Sequence, residues 1–459
     1  MRSDFQQWVL LPVRWGSSFL INGPRIWWRL FTDSKTSAIS TIFVQTISVV
    51  FTAVIARWLG SVEYGKSTAL ATYVNLFTLI YSYPLMALIA KFIAEGKQQN
   101  KPFERKCAMS FWLYLLAGLI AASLSILFLP WGLSFYNLQG LHLPGILYAL
   151  TYISSTPIAF CLFLLQAMGR VKLWSFLNII NAVSALIVTA IIISFTNTLT
   201  LLRYFEIIII TNIAAGIFSF LLILKLLGYR NIFSPDFKVT KEIIKAGFGG
   251  WIAILCAYTA IFGVSTMVAK FADNTRLGYY QIITNIGTWV YNVIISVTIP
   301  ALSTWSKLAA EKYYTSLRRN FRLCQFATTS LAVIAAIVTF IFAPEILTAL
   351  YGQEYRTNYW LLRINSIAWI MLGFGGWYWI FFSSIGKPWL VMMPNVVWGT
   401  LQITTCYCLM KLFNYDIYGA MIAHALSYIC WAITYEVVFE RTCKTLSSFH
   451  PPAGEEVAK

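Results

Sequence analysis

Apolar residues along the chain gather in long runs. Twelve of these reach the roughly 20 residues that a bilayer-spanning helix needs. They lie near 36–59, 67–90, 107–129, 145–168, 173–195, 204–228, 247–268, 279–302, 323–343, 359–382, 389–411 and 418–439, and are called spans 1 to 12. In lipid, a spanning segment must satisfy its own backbone hydrogen bonds, so runs of this length predict helices. The expected fold class is therefore an all-α polytopic membrane protein. Pro84, Pro157 and Pro394 fall inside spans and predict kinks there.

The runs also repeat at half length. Ala56-Arg57-Trp58-Leu59-Gly60 through Tyr64-Gly65 matches Ala269-Lys270-Phe271 through Leu277-Gly278 at a shift of 213. Phe128-Leu129-Pro130 recurs as Phe342-Ala343-Pro344, shifted by 214, and Gly169-Arg170 with Asn178 recur as Gly386-Lys387 with Asn395, shifted by 217. Three ordered matches at nearly one offset predict two six-helix bundles, 36–228 and 247–439, joined by a linker at 229–246. Six is even, so both bundles enter from the same side. The repeat is then parallel, with a pseudo-two-fold axis along the membrane normal.

Charge gives the orientation. With the N-terminus inside, 26 of the 34 Lys and Arg fall on cytoplasmic segments. That bias predicts cytoplasmic termini, including a tail at 440–459. It also explains the net charge of +17 without nucleic acid. Residues 1–35 do not read as a cleavable signal, because Arg14 interrupts the apolar stretch and no small-residue cleavage site follows. Their Trp and Leu alternate with Arg14, Arg25 and Arg29, as in an interfacial segment on the cytoplasmic leaflet; a disordered tail is the alternative.

Composition narrows the function. The chain is 59% hydrophobic and 11% charged, against about 45–50% and 25% in soluble domains. No connecting segment exceeds twenty residues, which leaves no room for a soluble catalytic domain. No HExxH, GxSxG or P-loop sequence occurs, the first outer loop offers only Glu63 as an acid, and the eight Cys form no metal or disulfide pattern. The chain reads as a non-enzyme without cofactor or metal.

The polar positions inside spans form stripes. Span 8 carries Gln281, Asn285, Thr288 and Asn292 at helical spacing, and span 2 carries Thr68, Thr72 and Asn75 at matching repeat positions. Such residues also glue membrane helices together, but matched stripes favour a wet cleft between the bundles. Spans 1, 2, 7 and 8 contain no Asp or Glu, while Arg57 and Lys270 are repeat-equivalent. A neutral-to-positive cleft suits an anionic ligand. The other ionisable groups in spans, Glu206, Lys225, Arg363, Lys411 and Glu436, lie near ends and read as interfacial anchors. His424 reads as a hydrogen-bonded core histidine.

The segments at 56–65, at Leu277-Gly278-Tyr279-Tyr280 to Pro300-Ala301-Leu302-Ser303, and at Phe342-Ala343-Pro344-Glu345-Ile346-Leu347 to Tyr351-Gly352 resemble the oligosaccharide flippases of the O-antigen translocase type. These belong to the multidrug/oligosaccharidyl-lipid/polysaccharide exporter superfamily. The resemblance covers roughly residues 35–440. It implies a MATE-like pair of lobes around a central cavity in a bacterial inner membrane. It also implies flipping of a polyprenyl-diphosphate-linked oligosaccharide by alternating access, as in lipopolysaccharide assembly. Arg57 and Lys270 would attract the diphosphate, and the stripes would meet the sugars. The implied partners are the lipid-linked glycan, membrane lipids, and a glycan polymerase or chain-length proteins. A multidrug cation extruder of the same superfamily and a membrane-embedded glycan polymerase are the alternatives.

Overall fold

The computed structural model describes the backbone of residues 17–81, 102–295 and 301–449, with positions 89, 92, 93 and 96 between them. The expected interfacial segment is described only from residue 17 on, as helical backbone, and Pro84 and residues 450–459 lie outside the described residues. Among the described residues every regular element is helical. Among the same residues, nine helices are long and apolar enough to cross a membrane. The first, Ile39–Ile80, has 42 residues and contains span 1 and most of span 2. Asn274–Ile295 supplies span 8 and Met392–Tyr407 the main part of span 11, so the set is compatible with twelve spans. Phe195, Phe326, Ile334 and Leu221 are among many large apolar side chains on the outside. A surface of this kind needs lipid as its solvent. The chain is a multi-pass membrane protein.

The packing follows the sequence repeat. In the first half, span 3 packs on 4, 4 on 6, the span 1–2 rod on 5, and 5 on 6. In the second half, span 9 packs on 10, 10 on 12, 7 on 11, and 11 on 12. The details repeat too. Gly169 and Gly386 both have φ +71, the left-handed conformation that closes a helix and that glycine adopts without strain. The amide of Gly169 donates to Gln166 O and that of Arg170 to Leu165 O. The amides of Gly386 and Lys387 donate to Ser383 O and Phe382 O, the same pattern moved by 217 residues. Spans 3 and 9 break at Phe128 (φ −90, ψ 5) and Phe342 (φ −97, ψ 19), each two residues before a proline.

The halves meet along spans 2 and 8. A Cβ placed on Gly278 would stand 3.1 Å from Gly65 Cα, and one on Gly65 would stand 2.1 Å from the backbone oxygen of Asn274. Gly65 and Gly278 are repeat-equivalent. Equivalent residues touch only where a two-fold axis passes between them, so the pseudo-axis runs through this glycine pair. Nearby, the apolar core is continuous from one half to the other, joining Ile55, Tyr73 and Leu133 to Val268, Leu277 and Leu347. Elsewhere in the C-terminal half, Trp305, Phe321, Phe381 and Phe439 form a separate core.

Three expected spans are interrupted where no interior proline stands. Span 2 begins directly after Gly60 (φ 72, ψ 169) and breaks after Asn75. Span 10 is split into Tyr359–Gly375 and Tyr378–Ser384. Span 11 starts only at Met392 and ends in a π-helical turn, Cys408–Leu412. Pro394 therefore lies in a first turn, where its missing N–H costs nothing, and the kink expected there is absent. Pro157 remains inside the helix His142–Ala167.

Candidate functional site

The break in span 2 opens a polar site. Past Asn75 the backbone turns before resuming at Thr78–Tyr81, and the amide of Phe77 donates to Val74 O at 3.0 Å across the tightened turn. Two side chains from other helices brace this segment. Tyr152 Oη donates to Val74 O at 2.7 Å, and Trp251 Nε1 donates to Leu79 O at 2.9 Å. Asn75 is left facing a cavity of about 220 Å³ between the halves.

Five of the expected residues, Thr68, Thr72, Asn75, Gln281 and Asn285, line this cavity. Gln281 Nε2 donates to Asn285 Oδ1 at 2.8 Å, and Thr68 Oγ1 donates to Tyr64 O at 2.9 Å. Sequence reasoning missed Tyr64, Tyr148 and Tyr204, which close the same cavity. Their signal was too common to separate, since tyrosine is abundant throughout this chain. Among the described residues, every side chain lining the cavity is uncharged.

Thr288 lies one turn further along span 8 and lines a second cavity, of about 110 Å³, inside the C-terminal half. The two cavities share Ile261, Ser265 and Gln281 as a wall. Asn292 is half-buried and lines neither. His424 Nδ1 stands 3.1 Å from Gln402 Nε2, a hydrogen-bonded histidine, and both line the second cavity.

Arg57 and Lys270 do not line either cavity; both are exposed. Each instead reaches the opposite half. The Arg57 guanidinium donates to the carbonyls of Thr348 and Ala349. These sit in the last turn of Tyr314–Tyr351, the negative end of the helix dipole, which attracts a cation. Lys270 Nζ sits 4.8 Å from the centroid of the Phe135 ring, a cation–π contact. Phe135 and Ala349 are themselves 214 residues apart. The two contacts are therefore one contact made twice about the pseudo-axis.

Ser61 and Asn274, equivalent at a shift of 213, also reach across, to the Glu354 carboxylate and to Tyr136 O at 3.1 Å. Tyr136 Oη and Thr266 Oγ1 lie 2.7 Å apart. This end of the molecule, which carries the connections 1–2, 3–4, 7–8 and 9–10, is closed by reciprocal bonds between the halves.

One charged cluster was not foreseen. Glu436, read as an interfacial anchor, accepts from Arg322 and from Tyr378 Oη, while Arg322 and Arg318 also donate to Glu440. The cluster joins spans 9, 10 and 12. The eight cysteines are all free. Among the described residues no group of three or more His, Cys, Asp or Glu is placed to hold a metal. A separate, wholly apolar groove of about 460 Å³ lies between spans 4 and 6, beside exposed Ile213 and Ile217.

Comparison with solved structures places this fold. A crystal structure of a MATE mutant matches with a TM-score of 0.70 at 11% identity, over 91% of this chain and 96% of that one. The VcmN MATE transporter of Vibrio cholerae, also a mutant, matches with 0.68 at 13% identity, over 92% and 98%. A MOP superfamily transporter from Pyrococcus furiosus, described as having a binding pocket of reverse polarity, matches with 0.67 at 14% identity, over 90% and 96%. At such identities the likeness is one of fold. No curated protein matches the sequence significantly. The family model described as Polysaccharide biosynthesis protein matches residues 33–306, more than half of the chain, and the chain belongs to that family.

Proposed function

We propose that the chain is a flippase that carries a polyprenyl-diphosphate-linked oligosaccharide across a bacterial inner membrane by alternating access, and that it acts as a transporter rather than an enzyme. The observation that carries this reading is the uncharged, hydroxyl- and amide-lined cavity on the pseudo-axis, next to an end closed by paired bonds. Sugars need donors and acceptors together with aromatic faces, and this lining offers all three. A diphosphate cannot cross hydrocarbon unaided, since even one charge in a membrane helix costs about 2.5–3.5 kcal/mol. Arg57 and Lys270 stand where that charge would need them. In the closed state they hold carbonyls and a ring. When the halves part, both are released, and a phosphate is a better partner for either than a carbonyl or a ring.

An organic-cation extruder would call for a carboxylate in the cavity, and among the described residues none lines it. The test is glycan display in a strain lacking its own flippase, normalised to membrane protein level. The parent should restore display. A Gln281→Leu, Asn285→Leu double variant should lose most of it while accumulating in the membrane normally. Failure of the parent to restore display of any lipid-linked glycan, alongside extrusion of organic cations, would overturn the reading.

A further inference from the structure

The second cavity contains an imbalance that the fold itself does not resolve. Asn365, Trp369 and Gln402 line it, each about 1% exposed. Asn365 Oδ1, Gln402 Oε1 and Trp369 Nε1 are all buried without a hydrogen-bond partner. The Asn365 amide is fixed, since its Nδ2 donates to Ile283 O at 2.8 Å, which a carbonyl could not do. Gln402 shares a bond with His424 Nδ1, and with Nε2 as its donor the chamber is left with two acceptors and one donor. Buried polar atoms are very rarely left unpaired, and each one is expensive.

What would satisfy them follows from their types. A metal cation would use the two carbonyls and leave the indole N–H unpaired. An anion would use the N–H and leave the carbonyls facing negative charge. A hydroxyl both donates and accepts, so a neutral polyhydroxyl ring can meet all three groups. Trp369 and Tyr428 also supply aromatic faces for its C–H side. The bare Cα of Gly287 keeps the space, since a Cβ there would stand 2.6 Å from Trp369 Nε1 and 2.9 Å from Asn365 Nδ2. Gln281 belongs to both cavities, so a sugar held here would lie beside those in the first cavity. At about 10–15 Å³ per water, 110 Å³ is room for several waters or for part of a sugar ring.

We propose that this chamber in the C-terminal half is a subsite for one neutral sugar residue of the transported glycan, recognised by Asn365, Gln402 and Trp369. The inference rests on the flippase reading and adds to it where specificity resides.

The test uses the full chain in nanodiscs, with a panel of free neutral monosaccharides read by saturation-transfer NMR, and inorganic diphosphate and sodium chloride read by the shift they cause in thermal unfolding. At least one sugar should receive saturation from the parent. Asn365→Leu and Gln402→Leu should each weaken that sugar by roughly tenfold, about the worth of one good hydrogen bond. Neither should alter diphosphate binding. Each removes an unpaired acceptor together with one existing bond, to Ile283 O or to His424, so both should melt within a few degrees of the parent. Gly287→Ala should abolish the sugar signal by filling the chamber. Sugar binding unchanged in all three variants would overturn the proposal, as would no sugar signal from the parent. Stabilisation by sodium that Asn365→Leu and Gln402→Leu both lose would replace the sugar with a cation. If the variants behave as expected but the parent exports no glycan in cells, the subsite stands and the flippase reading fails.

Discussion

Arg57 and Lys270 are the residues on which sequence and structure speak most differently. Their equivalence was legible, because a basic residue recurs in matching surroundings 213 positions on. Their partners were not, because the Thr348 and Ala349 carbonyls and the Phe135 ring meet them only through the packing of the two halves. The same is true of Gly65, whose role is to let Asn274 approach. A carboxylate at position 57 would face the carbonyl end of a helix, where a cation is favoured by about 0.3–1 kcal/mol. Arg57→Glu should thus favour separation of the halves by about 1–2 kcal/mol in total and, without a cation for the diphosphate, lose glycan display. Arg57→Lys should keep part of it, having charge without the fork. Lys270→Arg should keep nearly all, since a guanidinium sits on an aromatic ring at least as well. Display in the flippase-deficient strain, set against membrane protein level, measures all three; display by Arg57→Glu equal to the parent would make Arg57 an anchor only. Gly65→Ala tests the axis itself. Its methyl would collide with the Asn274 backbone, and overpacking of this kind costs about 1–3 kcal/mol. Melting of the purified protein should fall accordingly, and Gly278→Ala, with the looser contact, should lose less.

Among the elements, what the sequence revealed was periodicity, and what it concealed was neighbours. The stripe on span 8 is real as a helical face, yet its upper and lower residues serve different cavities, because span 2 covers Gln281 and Asn285 while span 10 helps to enclose Thr288. Proline was a poor guide to the breaks. The helix after Asn75 is interrupted without one, and Tyr152 and Trp251 come from elsewhere to bond the carbonyls of Val74 and Leu79. Tyr152→Phe removes one of these donors and also the bond between Tyr152 and Thr78. About 1–1.5 kcal/mol of stability should be lost, with the cavity loosened at Asn75. Thermal unfolding of the variant in detergent checks this, and a melting point equal to the parent's would show that the carbonyls need no partner. The Arg322 cluster invites a coupled test. Arg322→Gln strands Glu436 and leaves Glu440 with Arg318 alone, while Glu436→Gln in the same chain removes the stranded charge. Arg322 is 35% and Glu436 29% exposed, so solvent screening holds the single effect to about 1–2 kcal/mol. The double variant should recover part of it.

At the scale of the whole molecule the repeat was the most legible feature and orientation the least visible in the fold. From the distribution of Lys and Arg we expect the end closed by Arg57, Lys270, Ser61 and Asn274 to face outside. The positive residues would have to be translocated against their preference in the opposite orientation. Cysteine labelling decides between the two, with sites chosen by exposure. Leu138 and Val239 lie in loops but are buried, so their neighbours serve better. Gln139, Asn197 and Gln353 are exposed at the end expected outside, and Lys172 and Ser234 are exposed at the end expected inside. In a background freed of the half-buried Cys256, Cys324, Cys408 and Cys430, a membrane-impermeant maleimide added to intact cells should label the first three positions and reach the other two only after permeabilisation. Labelling of position 353 only from the cytoplasm would invert the molecule. The paired latch would then close the cytoplasmic end, and Arg57 and Lys270 would be released toward the face on which lipid-linked glycans are assembled. The same bonds would gate entry instead of exit.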